Sequence, residues 1–107
     1  MLKHLACYGI AGLLLFAGSS LSFAESAADT YKAKCQMCHA PDGSGDTPAG
    51  KATKVHPFKS PDVLKQSDAD LIAIVKNGKE KMPAFAGKIT DAQITDLVEY
   101  IHTLQKK

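Results

Sequence analysis

Arginine is absent from this chain of 107 residues, and its charges nearly cancel. Thirteen basic residues, all of them lysine, face eleven acidic ones, which leaves a formal net charge of +2 at pH 7. Such a chain gains little from releasing the counterions of a nucleic acid, and it has no guanidinium group to bind bases or phosphates bidentately. The composition therefore argues against a nucleic-acid-binding protein.

The alternation of apolar and polar residues that is typical of a half-buried strand is also missing. Helix signals are present instead, over residues 26–38 and in a short turn over residues 60–66, with a loop between them. Ser67 and Thr90 each precede an acid or glutamine by three residues, which predicts capping boxes at the starts of two further helices. Asn77-Gly78 predicts the end of the first of these. The sequence therefore predicts an all-α fold with long loops.

The N-terminal segment predicts a signal peptide. Lys3 gives a weakly positive start, an apolar run extends from Leu5 to Ala17, and Ser22-Phe23-Ala24 offers the small residues that signal peptidase accepts. The run is shorter than the ~18–20 residues of a membrane-spanning helix. We therefore expect residues 1–24 to be removed and residues 25–107 to form one small domain in the periplasm. The alternative is an uncleaved segment that anchors the protein to the inner membrane.

Cysteine is scarce, with three in the chain, and two of them lie together in Cys35-Gln36-Met37-Cys38-His39. Such a pair can form a disulfide, bind zinc with ligands from elsewhere, or attach a haem. Redox disulfides of this spacing usually lie at a strand-to-helix junction, and this chain has no strand pattern to supply one. A structural zinc site usually needs a second close pair of ligands, whereas His56 and His102 are isolated in the sequence.

The Cys-x-x-Cys-His spacing is that of a c-type haem attachment site. Each thiol can add to one haem vinyl group, and cysteines three residues apart on a helix project toward the same side. His39 can then place a ring nitrogen on the iron. We expect a backbone carbonyl, of Pro57 or a neighbour, to accept the Nδ1 hydrogen of His39 and orient its ring. The sequence therefore predicts one covalently attached haem c.

The opposite face of the haem needs a ligand from a distant segment. Met37 is too close to His39 in sequence to reach that face. Met82 lies in a loop between the last two helices, where Pro83 stiffens the backbone, and a thioether suits low-spin iron and raises its reduction potential. We predict Met82 as the sixth ligand, with His56 as the competing candidate. His102 lies beside an apolar helix face, which predicts a half-buried packing role.

These segments resemble the small monohaem class I c-type cytochromes of bacteria. The resemblance covers nearly all of residues 25–107. It rests on Cys35-Gln36-Met37-Cys38-His39, on the glycine-containing loop 42–50, and on Asn77-Gly78 followed by Met82-Pro83-Ala84-Phe85. It implies a class I cytochrome c fold, in which the N- and C-terminal helices pack together around a covalently bound haem that His and Met ligate axially.

The resemblance also implies a role as a one-electron carrier. Tyr31, Leu97 and Tyr100 match the family pattern at the crossing of the first and last helices. The sequence shows no constellation of general acid, base and nucleophile, so we do not expect an enzyme. The alternative is a haem sensor or a peroxidase-like protein with an open or labile sixth ligand.

The partners that we expect are redox proteins. Several lysines flank the Met82 loop and can steer an acidic partner toward it. These residues are Lys76, Lys79, Lys81 and Lys88.

Overall fold

The computed structural model describes residues 26–107, so the predicted leader over residues 1–24 lies outside the described residues. The helices of the described part are α1 (Ala27–Lys34), α2 (Gln36–His39), α3 (Pro48–Ala52), α4 (Pro61–Leu64), α5 (Asp68–Asn77) and α6 (Asp91–Gln105). Apart from isolated bridges at Lys79–Met82 and Ala86–Ile89, residues 26–107 contain no strand. The predicted all-α fold class is confirmed. Within the same residues, no helix combines the length and apolarity needed to span a membrane.

The two longest helices begin where the sequence predicts, and the first of them also ends there. Ser67 caps α5 and Thr90 caps α6, and each forms a complete capping box, with Asp70 and Gln93 respectively. Helix α5 ends at Asn77, and Gly78 follows with a φ of 79°. A positive φ of this size favours glycine, so the Asn-Gly signal reflects a real backbone requirement.

Three local expectations need correction. The helix predicted over residues 26–38 is broken at Cys35, whose φ of −120° separates α1 from α2. Helix α3 was not expected, because the composition of its segment is that of a loop. The Thr47 hydroxyl accepts from the Gly50 amide, and Pro48 occupies the first turn, so this short helix is made by its cap. Helix α4 ends at Leu64, two residues before the predicted limit.

Helix α6 packs against both α1 and α5 and supplies much of the core. Its apolar stripe is buried, with Ile94 fully enclosed and Val98 1% exposed. At the crossing with α1, the rings of Tyr31 and Tyr100 lie 5.2 Å apart between centroids, and Leu97 belongs to the same core cluster. The predicted packing of the first and last helices is therefore confirmed.

Replacement of Ile94 by alanine tests this core. Because Ile94 is 0% exposed, we expect Ile94→Ala to lower the free energy of unfolding by about 2–5 kcal/mol. Thr95→Ala is the matched control, because its exposed side chain makes only a local bond to the Asp91 carbonyl. It should change stability by no more than about 0.5 kcal/mol. Denaturant unfolding of both variants measures the difference, and equal losses would contradict the assignment of Ile94 to the core.

Candidate functional site

The break at Cys35 sets the direction of the Cys-x-x-Cys-His segment. The Cys35 amide still closes α1 on the Tyr31 carbonyl at 2.9 Å, while the His39 amide bonds to the Cys35 carbonyl at 3.0 Å. The end of α1 and the start of α2 therefore meet at Cys35. The thiols of Cys35 and Cys38 are not joined as a disulfide. Both line the same cavity as His39, although no single helix runs through the three residues.

Three hydrogen bonds from neighbouring segments hold the backbone of this segment in place. The Tyr31 hydroxyl donates to the buried Ala40 carbonyl at 2.6 Å. The Gly45 amide donates to the His39 carbonyl at 2.9 Å. The Thr47 hydroxyl donates to the Met37 carbonyl at 2.7 Å. The backbone around His39 is therefore attached to α1 and to the following loop.

Helix α3 approaches the same backbone closely at Gly50. A Cβ at this position would lie 2.2 Å from the Cys38 carbonyl oxygen and 2.4 Å from that of Gly45. Any side chain there would force α2 and α3 apart. The helix that the sequence did not predict thus helps to fix the position of Cys38.

The second segment of the site is the turn that carries Met82. Lys79 and Met82 exchange backbone hydrogen bonds of 2.9 and 3.1 Å. The chain returns to α5 through bonds from Phe85 to the Val75 carbonyl and from Ala86 to the Lys76 carbonyl. A Cβ at Gly78 would lie 2.7 Å from the Met82 carbonyl oxygen. Met82 is partly buried and packs against the hydrophobic core.

These two segments meet at one cavity of about 410 Å³. Cys35, Cys38, His39 and Met82 all line it, and His56 lines it as well. Much of the remaining wall is apolar, and includes Phe58, Val63, Leu71, Ile74, Val75, Phe85, Leu97 and Ile101. A volume of this size and an apolar lining with a few polar groups are usual for a cofactor site.

One observation bears directly on whether a haem fits. His39 Nδ1 is buried and has no hydrogen-bond partner among the described residues. With the hydrogen on Nδ1, as in a metal-bound histidine, the lone pair of Nε2 is left to coordinate a metal ion. Two thiols, an imidazole and a thioether on an apolar wall are the groups that a covalently attached haem requires. The residues present therefore fit this cofactor.

Comparisons with known proteins point the same way. The family described as "Cytochrome C oxidase, cbb3-type, subunit III" matches residues 23–101. Cytochrome c6 from Nostoc sp. (strain PCC 7120 / SAG 25.82 / UTEX 2576) is 36% identical over 100 residues, covering 91% of this chain and 86% of the relative. Cytochrome c6 from Parathermosynechococcus lividus is 34% identical over 74 residues, covering 69% of this chain and 82% of the relative.

The chain belongs to this cytochrome family. A solved structure, "KustC0563 c-type cytochrome", is similar with a TM-score of 0.69 at 25% identity, over 76% of this chain and 99% of that chain. The protein is a small monohaem class I c-type cytochrome. It carries one covalently attached haem c and is an electron carrier.

Burial sets the protonation of the cytochrome's site residues. Burial, with the nearby Cys38 adding a smaller effect, raises the pKa of the Cys35 thiol to about 11, although Lys34 opposes the shift. Burial lowers the pKa of His39. At neutral pH the chain therefore presents a protonated Cys35 thiol and a neutral imidazole, whose ring keeps a nitrogen lone pair available to a metal.

The predicted hydrogen bond from His39 Nδ1 to the carbonyl of Pro57 or a neighbour is wrong, because Nδ1 has no partner among the described residues. The Pro57 carbonyl accepts instead from the Ser60 amide at 3.0 Å and the Ser60 hydroxyl at 2.8 Å. The imidazole of His39 stacks on the Phe58 ring, with centroids 4.8 Å apart and planes 22° apart. Ring orientation is therefore set by an aromatic contact from the residue next to Pro57.

Sequence reasoning missed several residues that build the site. Phe58 and Gly50 act through contacts between segments, which no local pattern reports. Tyr31 was assigned to helix packing alone, whereas its hydroxyl also holds the Ala40 carbonyl. Of these residues and Thr47, Thr47 alone has a local sequence signal. A threonine directly before a proline is typical of a helix start, and it would have predicted the start of α3.

Replacement of Tyr31 by phenylalanine tests the attachment behind His39. Because the change removes one of two donors to the buried Ala40 carbonyl, which keeps its bond from the Gly43 amide at 3.1 Å, we expect Tyr31→Phe to lower the free energy of unfolding by about 0.5–1.5 kcal/mol. Tyr100→Phe is the matched control, because it removes a hydroxyl from the same helix crossing, and no hydrogen bond of that hydroxyl is found among residues 26–107. Thermal or denaturant unfolding compares the two, and an equal effect would show that the Tyr31 bond contributes nothing.

Proposed function

We propose that this cytochrome is a periplasmic one-electron carrier in which Cys35 and Cys38 attach the haem through thioethers and His39 and Met82 are its axial ligands. The observation that carries the proposal is that these four side chains, from two distant segments, line one largely apolar cavity. His56 lines it too, but its Nδ1 pairs with Asp62 at 2.9 Å and its side chain is 64% exposed. Met82 instead packs against the core, which favours it over His56 as the sixth ligand.

The haem iron supplies one-electron chemistry between Fe(II) and Fe(III). The chain's contribution is to keep both ligands in place through that cycle. The backbone on either side of His39 is bonded to α1 and to the Gly45 loop, and the Met82 turn is bonded to α5. A thioether stabilises Fe(II), so Met82 sets a raised reduction potential. The wall residues exclude water, and no proton transfer is required of any of them.

Export through residues 1–24 is part of the proposal. It is supported by the apolar run and the small residues that end at Ala24. Covalent attachment suits an exported carrier, because an attached haem is not lost by dilution. Sequencing of the N-terminus of exported protein should find Glu25 first, and a chain that still begins at Met1 would favour the membrane-anchored alternative.

Met82→Ala tests the sixth ligand. Since the change removes a ligand that favours Fe(II), we expect a lower reduction potential and ready binding of carbon monoxide to the reduced protein. Met37→Ala is the matched control, because Met37 is 77% exposed and should leave both properties unchanged. A redox titration and an optical spectrum under carbon monoxide measure them.

Three results would count against this ligand assignment. If Met82→Ala behaves like Met37→Ala while His56→Ala lowers the potential, His56 holds the sixth position. If the unchanged protein binds carbon monoxide readily at neutral pH, the sixth position is open. That second result would favour a haem sensor or a peroxidase-like protein over a carrier. If Met82→Ala alters neither property and neither does His56→Ala, another residue is the ligand.

We also propose that the mouth of the cavity is where an acidic redox partner docks. Of the lysines expected there, Lys76 pairs with Asp91 at 3.4 Å and Lys88 lies over the Phe85 ring. Lys79 and Lys81 line the cavity, are exposed, and form no ion pair within the described residues. Lys34 and Lys54 line it from other segments and are likewise exposed. Glu80 and Asp62 are the acidic residues that line the cavity, so the four lysines leave an excess of positive charge.

The double variant Lys79→Gln/Lys81→Gln tests this charge with ferricyanide, a small anionic oxidant. Because fewer positive charges attract the anion, we expect oxidation of the reduced protein to slow by roughly two- to tenfold at low ionic strength. The difference should shrink as salt is added. Lys106→Gln, at the C-terminal end of α6, is the control with a smaller charge change. Stopped-flow rates that fall no further in the double variant than in this control would contradict the proposal.

A further inference from the structure

A chain of hydrogen bonds leads from the surface to the residue that stacks on His39. His102 Nε2 lies 2.6 Å from Asp68 Oδ1, and His102 Nδ1 lies 2.8 Å from Gln105 Oε1. Gln105 Nε2 donates to the Phe58 carbonyl at 2.9 Å. Phe58 is buried, and its ring lies on the His39 imidazole. These contacts join the start of α5, the end of α6 and the loop before α4.

The orientation of the Gln105 amide is fixed by its partner. The Phe58 carbonyl can only accept, so the amide nitrogen must face it and the amide oxygen must face His102. The Asp68 carboxylate also only accepts. Both ring nitrogens of His102 therefore face acceptors, and only the protonated imidazolium can donate to both.

Loss of that proton breaks one of the two bonds. A neutral imidazole keeps one hydrogen, so one nitrogen lone pair would face either the Asp68 carboxylate or the Gln105 oxygen. Turning the Gln105 amide relieves the second contact, but it removes the donor from the Phe58 carbonyl. The other backbone hydrogen bond of Phe58 is donated by its amide to the Gly43 carbonyl at 2.9 Å.

We propose that Gln105 and His102 are positioning residues for the haem site, which hold Phe58 against His39 when His102 is protonated and release it when His102 is neutral. The proposal rests on the proposed ligation of the haem by His39. Gln105 and His102 act through Phe58, and neither lines the haem cavity.

The surroundings of His102 favour the protonated form. The bond to Gln105, and then the bond to Asp68, raise the pKa of His102 above its ordinary value, while partial desolvation and Lys106 oppose this. Lys59, from the loop that carries Phe58, holds its ammonium on the Lys107 carbonyl. Helix α1, which also packs on α6, adds no charged group to these contacts among the described residues. The imidazolium contributes stability below its unfolded-state pKa, and this is lost as pH rises through the folded-state value.

Loss of the His102 proton should lower the reduction potential for two reasons. The positive charge of His102 favours the reduced haem, so its loss lowers the potential. Release of Phe58 exposes the His39 side of the cavity to water, which favours the more highly charged oxidised state. The potential should therefore fall as pH rises through the titration of His102.

Variants of the haem-containing protein distinguish the effect of this hydrogen-bond chain on the potential from the effects of other titrating groups. In the unchanged protein, we expect the potential to fall across the pH range in which NMR shows His102 to titrate, and the Phe58 amide to exchange faster with solvent above it. Gln105→Leu should reduce the fall in potential to the part caused by the charge of His102, move its midpoint to lower pH because the bond to Gln105 is lost, and give fast Phe58 exchange at every pH. Gln105→Glu should also release Phe58, because a carboxylate still accepts from His102 but cannot donate to a carbonyl.

Asp68→Asn should move both transitions to lower pH, because it removes the anionic partner of His102. Asp96→Asn, an exposed acid on α6, is the charge-matched control and should leave them in place. A fall in potential that keeps its midpoint in Gln105→Leu and Asp68→Asn would overturn the proposal. So would a Phe58 exchange rate that is the same in Gln105→Leu and the unchanged protein. If Gln105→Leu does not fold, Gln105→Glu, which keeps the size and polarity of the side chain, and Asp68→Asn, which changes an exposed residue, give the same test.

The two proposals fail in different ways. If His39 is not a ligand, the axial-ligand spectrum of the unchanged protein shows it, whereas His102 titration and Phe58 exchange do not depend on the iron. If Phe58 exchange follows His102 but the potential does not, the linkage to the haem is wrong while the ligation stands.

Discussion

The contact between α1 and α6 and the wall of the haem cavity depend on the same side chains. Tyr31, Leu97 and Ile101 belong to the core cluster and also line the cavity. A chain of this size buries little apolar surface by itself, and small domains commonly rely on a cofactor to complete a core. We therefore expect the haem to complete the core of this cytochrome as well as to serve as its redox centre, and haem attachment to stabilise the helix crossing.

The positions of the two proposed axial ligands, His39 and Met82, are set mainly by turns. His39 ends a single turn of helix, and Met82 lies in a turn closed by two bonds with Lys79. Each of these segments is short, and would have many conformations alone. Bonds to α1 and α5, and the close approaches at Gly50 and Gly78, restrict them. A carrier benefits from this arrangement, because ligands that stay in place between oxidation states keep the reorganisation small.

The sequence predicts those parts of the structure that depend on near neighbours. The capping boxes at Ser67 and Thr90, the end of α5 at Gly78, and the haem-attachment spacing are all local patterns, and each was read from a few adjacent residues. Helix α3 was missed because its apolar periodicity is too short to stand out from a proline- and glycine-containing loop. The break at Cys35 has no local signal in the sequence, since the surrounding residues are good helix formers.

The contacts of His39 are an example of what the sequence does not predict. A carbonyl partner for its Nδ1 was inferred from the chemistry of metal-bound histidines, but the Pro57 carbonyl is used by Ser60. The ring is instead stacked on Phe58, whose carbonyl accepts a hydrogen bond from Gln105, 47 residues away in sequence. Contacts of that separation follow from the packing of whole helices. They cannot be obtained from spacing or composition.

The measurement that tests the account most directly is the mass of the protein after maturation in a host that assembles c-type cytochromes. The account predicts that the peptide containing Cys35 and Cys38 carries one haem under denaturing conditions, and that neither thiol reacts with an alkylating reagent. A peptide of unmodified mass whose two cysteines are both alkylated would contradict covalent attachment, and with it the function proposed for the chain.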